Sequence, residues 1–421
     1  MQHGPLPSPM RQLLALSTLM TLARALTTPV LVLSLAQQLR LGLPAIGMLL
    51  GAVLVVATLC GLYGGHLVDR WRPRRLLIGA AALIAAGLAL LPAARAPAPA
   101  LVALLLSETA FGVFGIAVKA ALSDGLPAAA RARGFSLRYT LTNLAFAVGP
   151  FIGSALAGRH AAAPFWAAAM LAASLLPWLA WLRLRDIAAD GAPAGAPGFV
   201  QTLALLGGDR ALVLFTLGCL LGCVVHGRFS DYLALVLLGQ RPAAEVMQWM
   251  SALIACNALA VVLLQLPIGQ RIQRRHAGRW IALGSLLLAA GLAGFWHAAS
   301  LAGWCLAMLV FTLGEIIIVP AEMLVVDAIA PAAYKGSYFA AHHLAQLGSA
   351  ASPALCALVL AHGAPGGLFG LLIALALLGA LLVAASGAAR VTFRAARASD
   401  RAARAVPAGS WSPRGGCRRG R

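Results

Sequence analysis

Seven ionisable side chains stand inside otherwise apolar runs of this 421-residue sequence: Arg24, Glu108, His226, Arg228, Asp231, Glu315 and Glu322. Acids and bases in such surroundings can hold a charged ligand, pass a proton or neutralise one another. In a membrane helix each charge costs about 2.5–3.5 kcal/mol at the helix centre, so it faces a cavity, a partner or a functional task. Glu315 and Glu322 are seven residues apart and share one helix face. A carboxyl in such a place can take up and give up a proton, and Glu315, Glu108 and Glu322 are the candidate proton carriers. Arg24 with Arg228, Asp231 and His226 are the candidates for holding a solute, the two arginines suiting an anionic group such as a peptide carboxylate. Three alternatives stand beside these readings. Arg24 and Glu108 can pair, Arg228 and Asp231 can neutralise each other at i,i+3, and Lys119 can snorkel.

The elements that must position these groups follow from composition. Hydrophobic residues make up 61% of the chain and charged residues 10%, against about 25% charged in soluble domains. The apolar excess must face lipid. Twelve windows of the length a bilayer demands fit at 12–38, 44–67, 76–94, 98–121, 134–158, 164–183, 210–237, 244–269, 280–297, 300–325, 336–361 and 366–389. The first is too long for a signal-peptide core and reads as a retained span. The turns leave no room for a soluble catalytic domain.

Net charge is +20, but its placement argues against nucleic acid. Alternate turns carry Arg70, Arg72, Arg74 and Arg75, then Arg131 and Arg133, Arg183, Arg185 and Arg210, Arg271, Arg274, Arg275 and Arg279, and Lys335. The opposite turns carry Arg40, Arg95, Arg159 and Arg241. This asymmetry places both termini in the cytoplasm. The Pro/Gly-rich stretch 192–198 lies in a linker, 184–209, between an N-terminal half (1–183) and a C-terminal half (210–389). The basic tail 390–421 reads as disordered and suited to anionic headgroups.

The halves repeat. Asp124 and Pro127, followed by Arg133 and Gly134, correspond to Asp327 and Pro331, followed by Lys335 and Gly336, at an offset of about 202 residues. The six cysteines of the apolar stretches, the Cys219/Cys223 pair included, read as buried packing groups, and His342-His343 lacks a second pair for metal or haem. Neither metal nor cofactor is expected. No phosphate-binding Gly-x-x-x-x-Gly-Lys-Ser/Thr loop is present, and no nucleophile–base set points to an enzyme. A receptor would more often carry seven spans.

The loop from Gly64 to Arg75, GGHLVDRWRPRR, resembles the signature loop of the major facilitator superfamily through Gly65, Leu67, Asp69, Arg70 and Arg74. It departs at Arg72 and Pro73. Span five, NLAFAVGPFIGS, resembles that family's antiporter motif through Gly149, Pro150 and Gly153, with Ala145 and Ser154 replacing two glycines. The stretches Gly314–Pro331 and RYTLTNLAFAVGP resemble the bacterial drug:proton antiporter branch, near exporters of dipeptides and multiple drugs. The resemblance implies an all-α fold of twelve helices in two pseudo-symmetric six-helix bundles, in a bacterial inner membrane. Spans one, four, seven and ten would line the cavity, and those are the spans that carry the seven ionisable groups. It implies a gate in which Asp69 meets the start of span eleven near Gly336. Gly65, Arg70, Asp124, Arg133, Gly149, Pro150, Gly153, Asp327 and Lys335 are the further gating candidates. The implied function is proton-coupled export of a small molecule or short peptide by a lipid-embedded monomer, with uptake by proton symport as the alternative.

Overall fold

The computed structural model describes residues 6–40, 42–184, 198–363 and 365–388. The basic tail and most of the Pro/Gly-rich linker lie outside the described residues. Within them the secondary structure is helical, without strands. The N-terminal half comprises α1 (Ser8–Leu39), α2 (Leu43–Arg70), α3 (Pro73–Leu90), α4 (Pro97–Gly125), α5 (Ala128–Ala157) and α6 (Ala163–Trp181). A connecting helix α7 (Phe199–Gly208) follows. The C-terminal half comprises α8 (Arg210–His226), α9 (Phe229–Leu238), α10 (Ala243–Gly269), α11 (Ala277–His297), α12 (Leu301–Ile329), α13 (Lys335–His343), α14 (Gln346–His362) and α15 (Pro365–Ala385).

Each of the twelve apolar windows coincides with one helix or one broken pair. Among the described residues, eleven helical segments are long and apolar enough by themselves to cross a bilayer, and a twelfth counts if the bent α7–α8 pair is taken as one span. The seventh window is α8 continued, past a break at Gly227–Arg228, into the short apolar α9. The eleventh breaks at Leu344–Ala345 between α13 and α14. Pro73 and Pro97 open α3 and α4, where a missing N–H costs nothing. Asp209 caps α8 by accepting from the amides of Ala211 (2.9 Å) and Leu212 (3.1 Å), and α7 turns away from α8 there by 79°. The linker read at 184–209 therefore contains an ordered helix, built by the apolar run from Phe199 to Leu206.

Each half packs on itself: α1 against α5 and α6, α3 against α4 and α6, α2 against α4; then α8 against α14 and α15, α11 against α12 and α15, α10 against α12. The halves meet along two seams, α2 with α13 and α5 with α10, while α5 also touches α12. Under the sequence repeat α2 corresponds to α10 and α5 to the α13–α14 pair, so the two seams exchange. The most buried candidate span is α12, and it carries Glu315, Glu322 and Asp327. Thirty-odd large apolar side chains are exposed, among them Phe151, Trp181, Val200 and Met247. That is the expected outer surface when the surrounding medium is hydrocarbon.

Candidate functional site

The most polar residues of the interior sit at three depths. Near the middle of the bundle, Arg24 of α1 pairs with Glu108 of α4, Nη2 to Oε2 at 2.6 Å, and the guanidinium lies over the Phe111 ring at 5.4 Å. A cavity of about 210 Å3 opens beside them. Its walls include Ser17, Thr21, Arg24, Thr58, Glu108, Phe111, Lys119, Arg138, His343 and Gln346. The expected pair is formed, and both partners face the cavity.

Glu315 lies across the junction of the halves. It is buried, accepts a hydrogen bond from the Tyr139 hydroxyl of α5 (2.5 Å) and another from Asn257 Nδ2 of α10 (3.2 Å). Asn257 also donates to Thr312 (3.0 Å). The Tyr139–Glu315 bond thus ties the N-terminal half to the C-terminal half. Glu322, two turns further along α12, is buried beside His342, Oε2 to Nε2 at 3.5 Å.

The end of the bundle that carries the basic turns is closed by a charged latch. Asp69, at the end of α2, accepts from the amides of Gly336 (2.5 Å) and Ser337 (2.9 Å) and from the Ser337 hydroxyl (2.5 Å). These are the free N–H groups at the start of α13, where the helix dipole favours a carboxylate. The approach is close because two glycines face each other. A Cβ on Gly65 would stand 2.7 Å from the Gly336 carbonyl oxygen, and one on Gly336 would stand 2.6 Å from that of Gly65. Asp327 of α12, fully buried, meets Arg131 of the N-terminal half at 2.6 Å, Lys335 at 3.2 Å and Arg274 at 4.0 Å. Lys335 also reaches Asp124 (3.0 Å) and the Ser123 hydroxyl (2.5 Å), which in turn donates to Asp327. Asp124, Asp327 and Lys335, paired by the repeat in the sequence, meet in space. Arg70 and Arg133 stand at the ends of α2 and α5 that border this latch.

The structure relocates several expectations. Arg228 pairs with Asp231 at 2.6 Å on its own helix turn, and neither lines the cavity beside Arg24. The i,i+3 spacing across the start of α9 satisfies both locally. His226 is buried, with Nε2 lacking a hydrogen-bond partner, and it too lies outside that cavity. Gly149 and Gly153 serve an intra-half contact: they let α5 sit on the backbone of α1 at Ala25 and Leu26, one and two residues after Arg24. Pro150 lies inside α5 between them. Gly149 and Gly153 therefore set the packing behind Arg24. Lys119 does not snorkel to a surface. Because α4 continues to Gly125, Lys119 is six residues inside its end, about 9 Å at 1.5 Å per residue, and it lines the cavity. Sequence reasoning missed Arg138, Tyr139 and Asn257. The signal for Arg138 was a base within the membrane window 134–158, and α5, starting at Ala128, sets it well inside the helix. Among the described residues no group of three His, Cys, Asp or Glu side chains could hold a metal ion.

Two pseudo-symmetric helical halves, an interior polar cavity and a charged latch between the halves at one end define a multi-pass membrane transporter. The family model described as Major Facilitator Superfamily matches residues 13–353, and the chain belongs to that superfamily; it is a transporter and not an enzyme. It is 29% identical over 376 residues to a protein of Escherichia coli K12 described as an uncharacterized MFS-type transporter, YdeE, covering 89% of this chain and 94% of that one. It is 26% identical over 347 residues to a Na(+), Li(+), K(+)/H(+) antiporter of Planococcus maritimus, covering 75% and 81%. Among solved structures, the human organic anion transporter MFSD10 superimposes with a TM-score of 0.70 at 21% identity, over 90% of this chain and 100% of that one. This last likeness is one of fold.

Proposed function

We propose that the chain is a secondary active transporter of the bacterial inner membrane, with both termini cytoplasmic, which exports small organic solutes such as dipeptides in exchange for protons. The observation that carries this reading is Glu315, a buried carboxylate whose hydrogen bond to Tyr139 spans the two halves. A carboxylate accepts from both Tyr139 and Asn257; the protonated acid gives up acceptor capacity and gains a donor. Proton loading at Glu315 therefore loosens one tie between the halves, which links protonation to their relative rocking. The Arg24–Glu108 pair lies across the same interior and is the second group a proton can separate. Glu322 beside His342 is a third carboxylate within the bundle and completes the set of proton-carrying candidates.

Export is supported by the Gly149–Pro150–Gly153 motif and by the antiporter name carried by the Planococcus relative. The cavity is smaller than the roughly 300–1,000 Å3 of drug-sized sites, which favours dipeptide-sized solutes over drugs. The energy source is the proton gradient and no cofactor enters.

The test uses everted membrane vesicles from cells overproducing the chain, energised so that the lumen is acid. Antiport predicts that they accumulate a radiolabelled dipeptide from a panel; symport predicts its expulsion. Glu315→Gln should bring accumulation to the level of vesicles lacking the chain while the protein remains in the membrane at normal abundance. Accumulation by Glu315→Gln equal to the unmodified chain overturns the role of Glu315, and flux indifferent to the gradient overturns proton coupling.

A further inference from the structure

The charges of the cavity do not balance. Arg24 is answered by Glu108 at 2.6 Å. Lys119 and Arg138, on neighbouring helices α4 and α5, line the same cavity, and neither has a carboxylate oxygen within 4 Å among the described residues. The two cations lie in each other's field, and Glu322 acts on Lys119 only from a greater distance. Arg138 Nε is buried without a hydrogen-bond partner. His343, another wall residue, lies in the field of Lys119, Arg24 and Arg138 together. Two cations held side by side within a membrane protein, with no anion in contact, are costly to keep. A guanidinium with a bare, buried N–H is moreover preorganised for a planar oxyanion. The cavity walls beside them are aromatic: Phe111, Phe114 and Phe146.

Resting on the reading of this cavity as the transported solute's site, we propose that the solute is held by a carboxylate, such as the C-terminal one of a dipeptide: that carboxylate seats between Lys119 and Arg138, and the apolar body lies along Phe111, Phe114 and Phe146. Glu108 is occupied by Arg24 and offers no free acid for a ligand ammonium, so the site selects against a cation of the same shape. The bound carboxylate supplies the charge that the two bases lack. Arg138 would be the orienting anchor and Lys119 the second charge.

The test is direct binding, independent of transport. Detergent-purified full chain is titrated with three compounds of matched shape: N-acetylphenylalanine (an anion), N-acetylphenylalaninamide (neutral) and phenylalaninamide (a cation). The anion should bind at least tenfold tighter than either of the others. Arg138→Gln should weaken it by about ten- to a hundredfold, the range of a hydrogen bond to a charged group, with Arg138→Lys recovering part of the loss. Lys119→Gln should act in the same direction. Arg241→Gln, in the turn before α10, where Arg241 pairs with Glu245 outside the cavity, should leave binding unchanged, and all variants are compared only where they elute as folded protein with unchanged melting. Equal or tighter binding of the cation, undiminished anion binding by Arg138→Gln and Lys119→Gln, or no binding of the anion at all overturns the proposal. Preserved anion binding with transport indifferent to a pH gradient would instead overturn the proton-coupled reading and leave the anion site standing.

Discussion

Asp327 concentrates the electrostatics of the closed end in one side chain. It is fully buried, and three bases converge on it: Arg131 from one half, Lys335 and Arg274 from the other. Removing one partner of a buried ion pair costs about 3–5 kcal/mol, because the remaining charge stays desolvated. Asp327→Asn therefore leaves the three bases with Asp124 as the sole acid in contact with any of them among the described residues. The closed end should open, and hydrogen exchange of the α13 amides, read by mass spectrometry on peptides covering 335–343, should quicken by about tenfold or more. Peptides of α11 should not change. Exchange in α13 equal to the unmodified chain would show that the latch is held elsewhere. At this scale the charged residues were legible, since a base or acid in an apolar run is conspicuous. Tyr139 and Asn257 were not: each is an ordinary polar residue until folding brings it to a carboxylate 176 or 58 residues away.

Among the elements, α7 has a distinct mechanical place. It sits outside both bundles yet touches α2 and α13, the two helices of the latch seam. Thr202 meets buried His66 of α2 at 3.2 Å, and Phe199 packs edge-on against Tyr63 and His66. At its far end Asp209 accepts from the Tyr338 hydroxyl of α13 at 2.6 Å. A helix fastened to both sides of a seam holds the seam shut. Tyr338→Phe removes one charge-assisted hydrogen bond, worth about 1.5–3 kcal/mol, without removing the ring. It should raise the rate at which Ala340→Cys, buried opposite Gly65, reacts with a water-soluble maleimide. An unchanged rate would confine α7 to a passive connection. No separate mark of α7 is legible in the sequence, because ten residues are too few to cross a bilayer and the stretch before them is rich in proline and glycine. By contrast, α8 with α9 and α13 with α14 were legible as single spans, since hydropathy does not register a break in backbone direction.

The whole molecule is closed at the end that carries the basic turns, and its two seams are related by the repeat. Alternating access then requires that this end separate as the other closes. Spin labels at Arg75 and Arg279, exposed on the two halves at the basic end, should move apart when Asp327→Asn is introduced. Labels at Arg159 and His362, exposed at the opposite end, should approach. The exposed Cys60 is replaced by serine for this measurement, which electron–electron distance spectroscopy reads. Distances that change at one end only would mean local opening in place of rocking of rigid halves.

The sequence by itself determined the number of crossings, the division into halves, the charged end and the family. The cost of burying charge and of leaving backbone groups unpaired in lipid leaves few arrangements of such a chain. Asp124, Asp327 and Lys335 were legible through the repeat and Asp69 through the loop motif, and the structure adds that they meet across the halves. Only the tertiary structure decided which charges are answered. Arg24 finds Glu108, Arg228 finds Asp231, and Lys119 and Arg138 find no carboxylate in contact among the described residues. Pairing depends on helix depth and rotation. The early start of α5 at Ala128 sets Arg138 well inside the helix and on the wall of the cavity, and no local pattern in the sequence records it.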